Sequence, residues 1–157
     1  MMKSCFFTGH RKIKITYKLY IKLINTLETL IEIGIVDFYA GGAIGFDSLA
    51  ELCVLQLKDK YPHIKLHLIL PCKKECQTYK WSIKEKKTYD EIFERAADIE
   101  YITDKYFDGC MKLRNQKLVD RAECCVCYYN KNHIASGTGQ TIRMAVKKGV
   151  LIINLFI

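Results

Sequence analysis

Five short segments of this 157-residue chain gather residue types that hold anions and sugar hydroxyls. "TGHR" sets Thr8, Gly9, His10 and Arg11 directly behind a short apolar run. Arginine offers a planar fork to phosphate or carboxylate. For His10, acid–base chemistry and plain hydrogen bonding are both open, because no partner acid can be located from sequence. "GGAIGFDS" places Gly41, Gly42, Ala43 and Gly45 just ahead of Asp47 and Ser48. Glycines here admit φ > 0 and let a ligand approach the backbone. The helix that follows presents free N–H groups to phosphate, and Ser48 adds a hydroxyl. Asp47 would repel phosphate at that spot, so it caps the helix or accepts a ribose hydroxyl. The competing reading is a turn needed only for tight strand–helix packing, since the spacing is not G-x-G-x-x-G.

The other segments are "PCKKECQTYKW", "RNQKLVD" and "ASGTGQT". The first supplies Pro71, Gln77 and Trp81. Trp81 either stacks on a nucleobase or anchors the core. In the second, Arg114 points at a ligand with Asn115 beside it, while Leu118, Val119 and Ala122 form the buried face of a helix. Asp120 pairs with a base or caps something internal. In the third, Ser136, Gly137 and Thr138 open the last long helix, either as a second anion cradle or as an ordinary Ser/Thr cap.

Such residues need a scaffold. Strand-like apolar runs fall at 4–8, 36–40, 66–70, 99–102, 124–129 and 150–155. Amphipathic helical spacing fills about 17–33, 47–60, 82–97, 110–121 and 139–148, with Gly34 as the stop of the first helix. Apolar strands alternating with helices predict an α/β fold: one Rossmann-like, doubly wound domain over 1–157, with a mainly parallel sheet covered by helices on both faces. Ligands of such folds bind outside the carboxyl ends of the strands, where four of the five segments fall; "RNQKLVD" lies near the start of a helix that follows a loop.

Composition narrows the class. No stretch reaches the roughly 18 apolar residues of a membrane span, and the N-terminus runs straight into a strand with no leader pattern. A soluble cytoplasmic protein is expected. Of the eight cysteines, Cys5, Cys53, Cys124, Cys125 and Cys127 lie in apolar patterns. Cys72 and Cys76 form a C-x3-C pair that no second pair completes as a metal site. Buried free thiols in a reducing compartment follow, with no metal, no cofactor and no catalytic residue. The net charge of +8, from 25 basic and 17 acidic residues, is spread along the chain. It draws in a phosphorylated ligand or marks a nucleic-acid face. The latter is disfavoured by few arginines and the lack of interleaved aromatics.

The five segments, in this order, resemble the SLOG superfamily, specifically its stand-alone YpsA-like branch. The resemblance implies a Rossmann-like protein that binds a nucleotide-derived small molecule, such as an ADP-ribose-type or cyclic-nucleotide signal in phage defence or counter-defence. It also implies a homo-oligomer, a dimer or tetramer, to which the surplus apolar residues Tyr17, Tyr20 and Phe156 add weight. Two relatives of that branch supply alternatives: the LOG nucleoside monophosphate phosphoribohydrolases and the DNA-processing protein A family. The LOG motif P-G-G-x-G-T-x-x-E, aligned on Gly137-Thr138, puts Thr141 where its glutamate stands. A threonine cannot act as a carboxylate in glycosidic cleavage, so binding without turnover is expected.

Overall fold

The computed structural model describes residues 1–156. The chain runs β1 (Ser4–Gly9), α1 (Tyr17–Glu32), β2 (Asp37–Ala40), α2 (Phe46–Leu57), β3 (Lys65–Leu70), α3 (Lys74–Thr78), α4 (Ile83–Arg95), β4 (Asp98–Tyr101), α5 (Cys110–Arg121), β5 (Cys124–Tyr128), α6 (Gly137–Lys148) and β6 (Leu151–Asn154). The strands pair in the order β4-β3-β2-β1-β5-β6, and every pairing is parallel. Right-handed crossovers explain the layering. From β1 to β4 the strands step outward in one direction, so α1, α2 and α4 share one face. The chain then returns across the sheet through α5 and steps the other way, which puts α5 and α6 on the opposite face.

Both faces are buried, so the strands are apolar on both sides rather than alternating with polar residues. In β1, Cys5 and Phe7 enter the larger core with Phe38, Leu66 and Val126, while Phe6 enters the smaller one with Leu118, Cys125 and Ala145. All eight cysteines are free, and seven of them are buried. Among the described residues no helix is long and apolar enough to cross a membrane.

Local signals set the helix ends. Thr16 caps α1 by accepting from Leu19 N–H, and Gly34, at φ 118°, follows its end. Ser82 and Glu85 form a reciprocal capping box at the start of α4. The last helix begins at Gly137 rather than 139, because Ser136 is its N-cap and accepts from Gly139 N–H. The short α3 was not expected. Five residues give no periodicity to read.

Candidate functional site

β1 and β5 are neighbours, yet the chain leaves them in opposite directions, to β2 and to β6. The crevice at such a reversal is open because the two connections part there. A cavity of about 360 Å³ occupies it. The structure brings Thr8, Gly9, His10, Arg11, Ala43, Asp47, Arg114, Asn115, Ser136, Gly137 and Thr138 together around this space, with Met111 and Leu118 as apolar wall. Four separate loops and helix ends therefore converge.

The floor is a buried charge cluster. Asp47 and Glu51 lie one turn apart on α2, and the charge of Arg114, from α5 on the other face of the sheet, acts on both; the three are 5%, 1% and 6% exposed. Arg114 Nη1 donates to the Gly41 carbonyl at 2.5 Å and Nε to Asn115 Oδ1 at 2.7 Å. Glu51 Oε2 accepts from Gly42 N–H at 3.1 Å, and Asp47 Oδ2 accepts from Ala43 N–H at 3.4 Å. Asp47 lines the cavity, and its Oδ1, buried, has no hydrogen-bond partner among the described residues. Burial pushes the Asp47 carboxyl up, and Arg114 chiefly opposes this. Burial, then the Asp47 charge, holds the Glu51 carboxyl well above its ordinary range. Burial likewise lowers Arg114.

Of the two readings of the glycine loop, its packing matches the tight turn. The space its missing side chains leave is filled by the protein. A Cβ at Gly41 would strike the Arg114 guanidinium, one at Gly42 the Leu70 side chain, and one at Gly45 the carbonyls of Arg11 and His10. Gly42 and Gly45 sit at φ 68° and 81°. The loop's N–H groups are also engaged, by Glu51, by Asp47 and, through Phe46, by the His10 carbonyl. Gly41, Gly42 and Gly45 thus do not line the cavity. Ser48 turns its hydroxyl to the Ala43 carbonyl at 2.9 Å and also stays outside it. Gly9 similarly makes room for the Phe46 ring.

The remaining residues divide. His10 Nε2 accepts the Asn130 N–H at 2.9 Å, so the neutral ring carries its proton on Nδ1. Burial, then the charge of His133, depresses its pKa. Ser136, Gly137 and Thr138 open α6 beside the cavity. The serine caps the helix, and the first-turn N–H groups of Gly137 and Thr138, which no helical carbonyl can reach, border the cavity. Gln77 lies outside it, its amide donating to the Gly41 and Gly42 carbonyls at 3.4 and 3.3 Å. Pro71 is buried beyond it, and Trp81 lines a neighbouring cavity. Asp120 is exposed and accepts from Gln116 at 2.9 Å. Thr141 is fully buried, its hydroxyl turned to the Gly137 carbonyl at 2.9 Å. Glu51 and Met111 are additions to the expected set. An acid four residues beyond Asp47 in an apolar helix was a legible signal for Glu51.

Architecture and cleft together define a Rossmann-like protein with polar groups converging at the strand-order reversal. A profile described as the YspA SLOG family, for YpsA, matches residues 5–149, and the chain belongs to that family. It is 32% identical over 143 residues to the SPbeta prophage-derived protein YoqJ of Bacillus subtilis, covering 83% of this chain and 81% of YoqJ. It is 30% identical over 105 residues to a UPF0398 protein of Halalkalibacterium halodurans, covering 66% of this chain but only 54% of that relative. A UPF0398 protein of Bacillus pumilus is 26% identical over 121 residues, 74% of this chain and 64% of the relative.

Proposed function

We propose that this protein binds a nucleotide-derived small molecule, of the ADP-ribose or cyclic-nucleotide type, and senses or sequesters it without turnover. The observation that carries this reading is Asp47 Oδ1. A buried carboxylate oxygen without a partner costs stability, and a sugar hydroxyl donating from the cavity would satisfy it. Phosphate then falls to the free N–H groups of Gly137 and Thr138 and to Arg11. Arg114 acts behind them by holding the Gly41 loop and balancing the two acids. The seating of Thr141 inside α6 supports binding over hydrolysis, because no carboxylate stands at that position. The prophage origin in YoqJ's name supports a place in phage–host signalling.

The test is mass spectrometry of small molecules released from denatured protein, joined to a thermal-shift screen of AMP, ADP-ribose and cyclic nucleotides. Ligands of the native state raise Tm. A released nucleotide, with a Tm shift lost in Asp47→Ala, is expected. No released nucleotide and no shift from any compound would sink the reading.

A further inference from the structure

Arg11 and Met111 border a second cavity as well as the first. It measures about 660 Å³, and its walls are of another kind. Trp81 is half-buried in it, with Tyr79 and Tyr106 beside it; these two tyrosines remain 65% and 53% exposed. Exposed aromatic rings clustered around a half-buried tryptophan present flat apolar surface with a polar rim, which suits a planar heterocycle.

The position of Trp81 is tied to the first cavity through a chain of contacts. Its ring meets Tyr89 edge-on, with centroids 5.7 Å apart and planes at 77°. The Tyr89 hydroxyl donates to Gln77 Oε1 at 3.4 Å, and the Gln77 amide holds the Gly41 and Gly42 carbonyls. The loop carrying these carbonyls is the one that Arg114 and Glu51 anchor beside Asp47. The two cavities are thus held in fixed relation. The Arg11 side chain, exposed at their junction, makes no hydrogen bond or ion pair with another described residue.

We infer that this second cavity is the base subsite of a two-lobed ligand: sugar and phosphate in the first cavity, a planar nitrogen heterocycle on Trp81 in the second, with Arg11 between them. This rests on the proposed sugar-phosphate reading of the first cavity. It identifies the ligand class as one bearing an intact base, and excludes free sugar phosphates as the preferred ligand.

Trp81 is the chain's only tryptophan, so its fluorescence reports on this cavity alone. The full chain is titrated with AMP and with ribose 5-phosphate, by calorimetry and by tryptophan emission. AMP is expected to quench Trp81 saturably and to bind about 5- to 150-fold more tightly than ribose 5-phosphate, the range that base stacking supplies. Ribose 5-phosphate is expected to bind without quenching. Trp81→Leu should reduce AMP affinity to that of ribose 5-phosphate and leave the latter unchanged, while Trp81→Phe retains most of the preference. Should Trp81→Leu fail to fold by circular dichroism, Tyr79→Ala, at an exposed position, carries the same comparison. Equal affinities for the two compounds, or AMP binding indifferent to the substituted ring, overturn the base subsite while leaving the sugar-phosphate site standing. Absence of binding by either compound overturns both.

Discussion

Replacing Glu51 by glutamine tests the buried acid beneath the cleft. Gln keeps the shape and the oxygen that accepts from Gly42 N–H, and removes only the titration. Native Glu51 holds its proton above the ordinary value of 4.5 because burial and the nearby Asp47 charge disfavour ionisation. The unfolded chain releases that proton near the ordinary value. Between those two pH values the native state carries the extra proton, so stability falls as pH rises. Below about pH 4.5 both states are protonated and this contribution is fully present. Through the window, wild type should lose up to ~1.4 kcal/mol per pH unit relative to Glu51→Gln. The assay is urea unfolding of both proteins from pH 4 to pH 8, compared as differences so that other titrating groups cancel. Adding Asp47→Asn should narrow the window from its upper end, since the Asp47 charge is the second cause of the shift. Parallel profiles for wild type and Glu51→Gln would refute the reasoning.

Gly45→Ala should destabilise the fold by about 2–5 kcal/mol, from a left-handed Cβ and its collision with the Arg11 carbonyl, read by thermal melting. Arg114→Met should cost about 3–5 kcal/mol, because it removes the cation nearest the buried Asp47 charge and the donor to the Gly41 carbonyl, and combination with Asp47→Asn should recover part of that loss in urea unfolding. AMP incubated with the protein should release no free base by chromatography; turnover above about one per minute that is lost in Asp47→Asn would mark an enzyme, typical enzymes running at about 1–10³ per second. Of the apolar residues expected to seek a partner chain, Tyr20 bonds to Gln56 at 2.7 Å and Phe156 packs on Tyr128, but Tyr17 stays 78% exposed. If α1 lies at a homo-oligomer interface, Tyr17→Glu shifts the mass measured by light scattering, and an unchanged mass argues against that interface.

Much of this was legible from the sequence because strand ends and helix caps are local. The apolar run ending at Thr8, the Ser136 cap and the acid at Asp47 could each be placed without knowing what lay opposite. The rule that ligands gather at carboxyl strand ends then put them in one crevice. Packing across the sheet could not be read. Nothing near Gly41 in sequence shows that Arg114, 73 positions later, occupies the space its missing side chain leaves. The same holds for Gly9, whose constraint is the Phe46 ring. These glycines look alike in the sequence whether the neighbour is a ligand or the chain itself, because both require the absence of a Cβ. The sequence leaves Trp81 open between a stacking and a core role, because the turn through α3, which carries it into the adjoining space, has no periodicity to read.

The strand order has a consequence for synthesis. β1 lies inside the sheet, yet one of its two partners, β5, begins at Cys124, so Cys5 pairs across nearly the whole chain. At roughly 5–20 residues per second, β1 and β2 leave the ribosome several seconds before β5 exists. Through that interval one flank of β1, lined by Cys5, Phe6 and Phe7, is an unpaired apolar edge, the kind of template on which foreign strands add. A nascent chain stalled before β5 should therefore be a client of chaperones. Variants that weaken β5 or α6 should show their defect as loss of yield during expression, even where the finished protein, once assembled, melts normally.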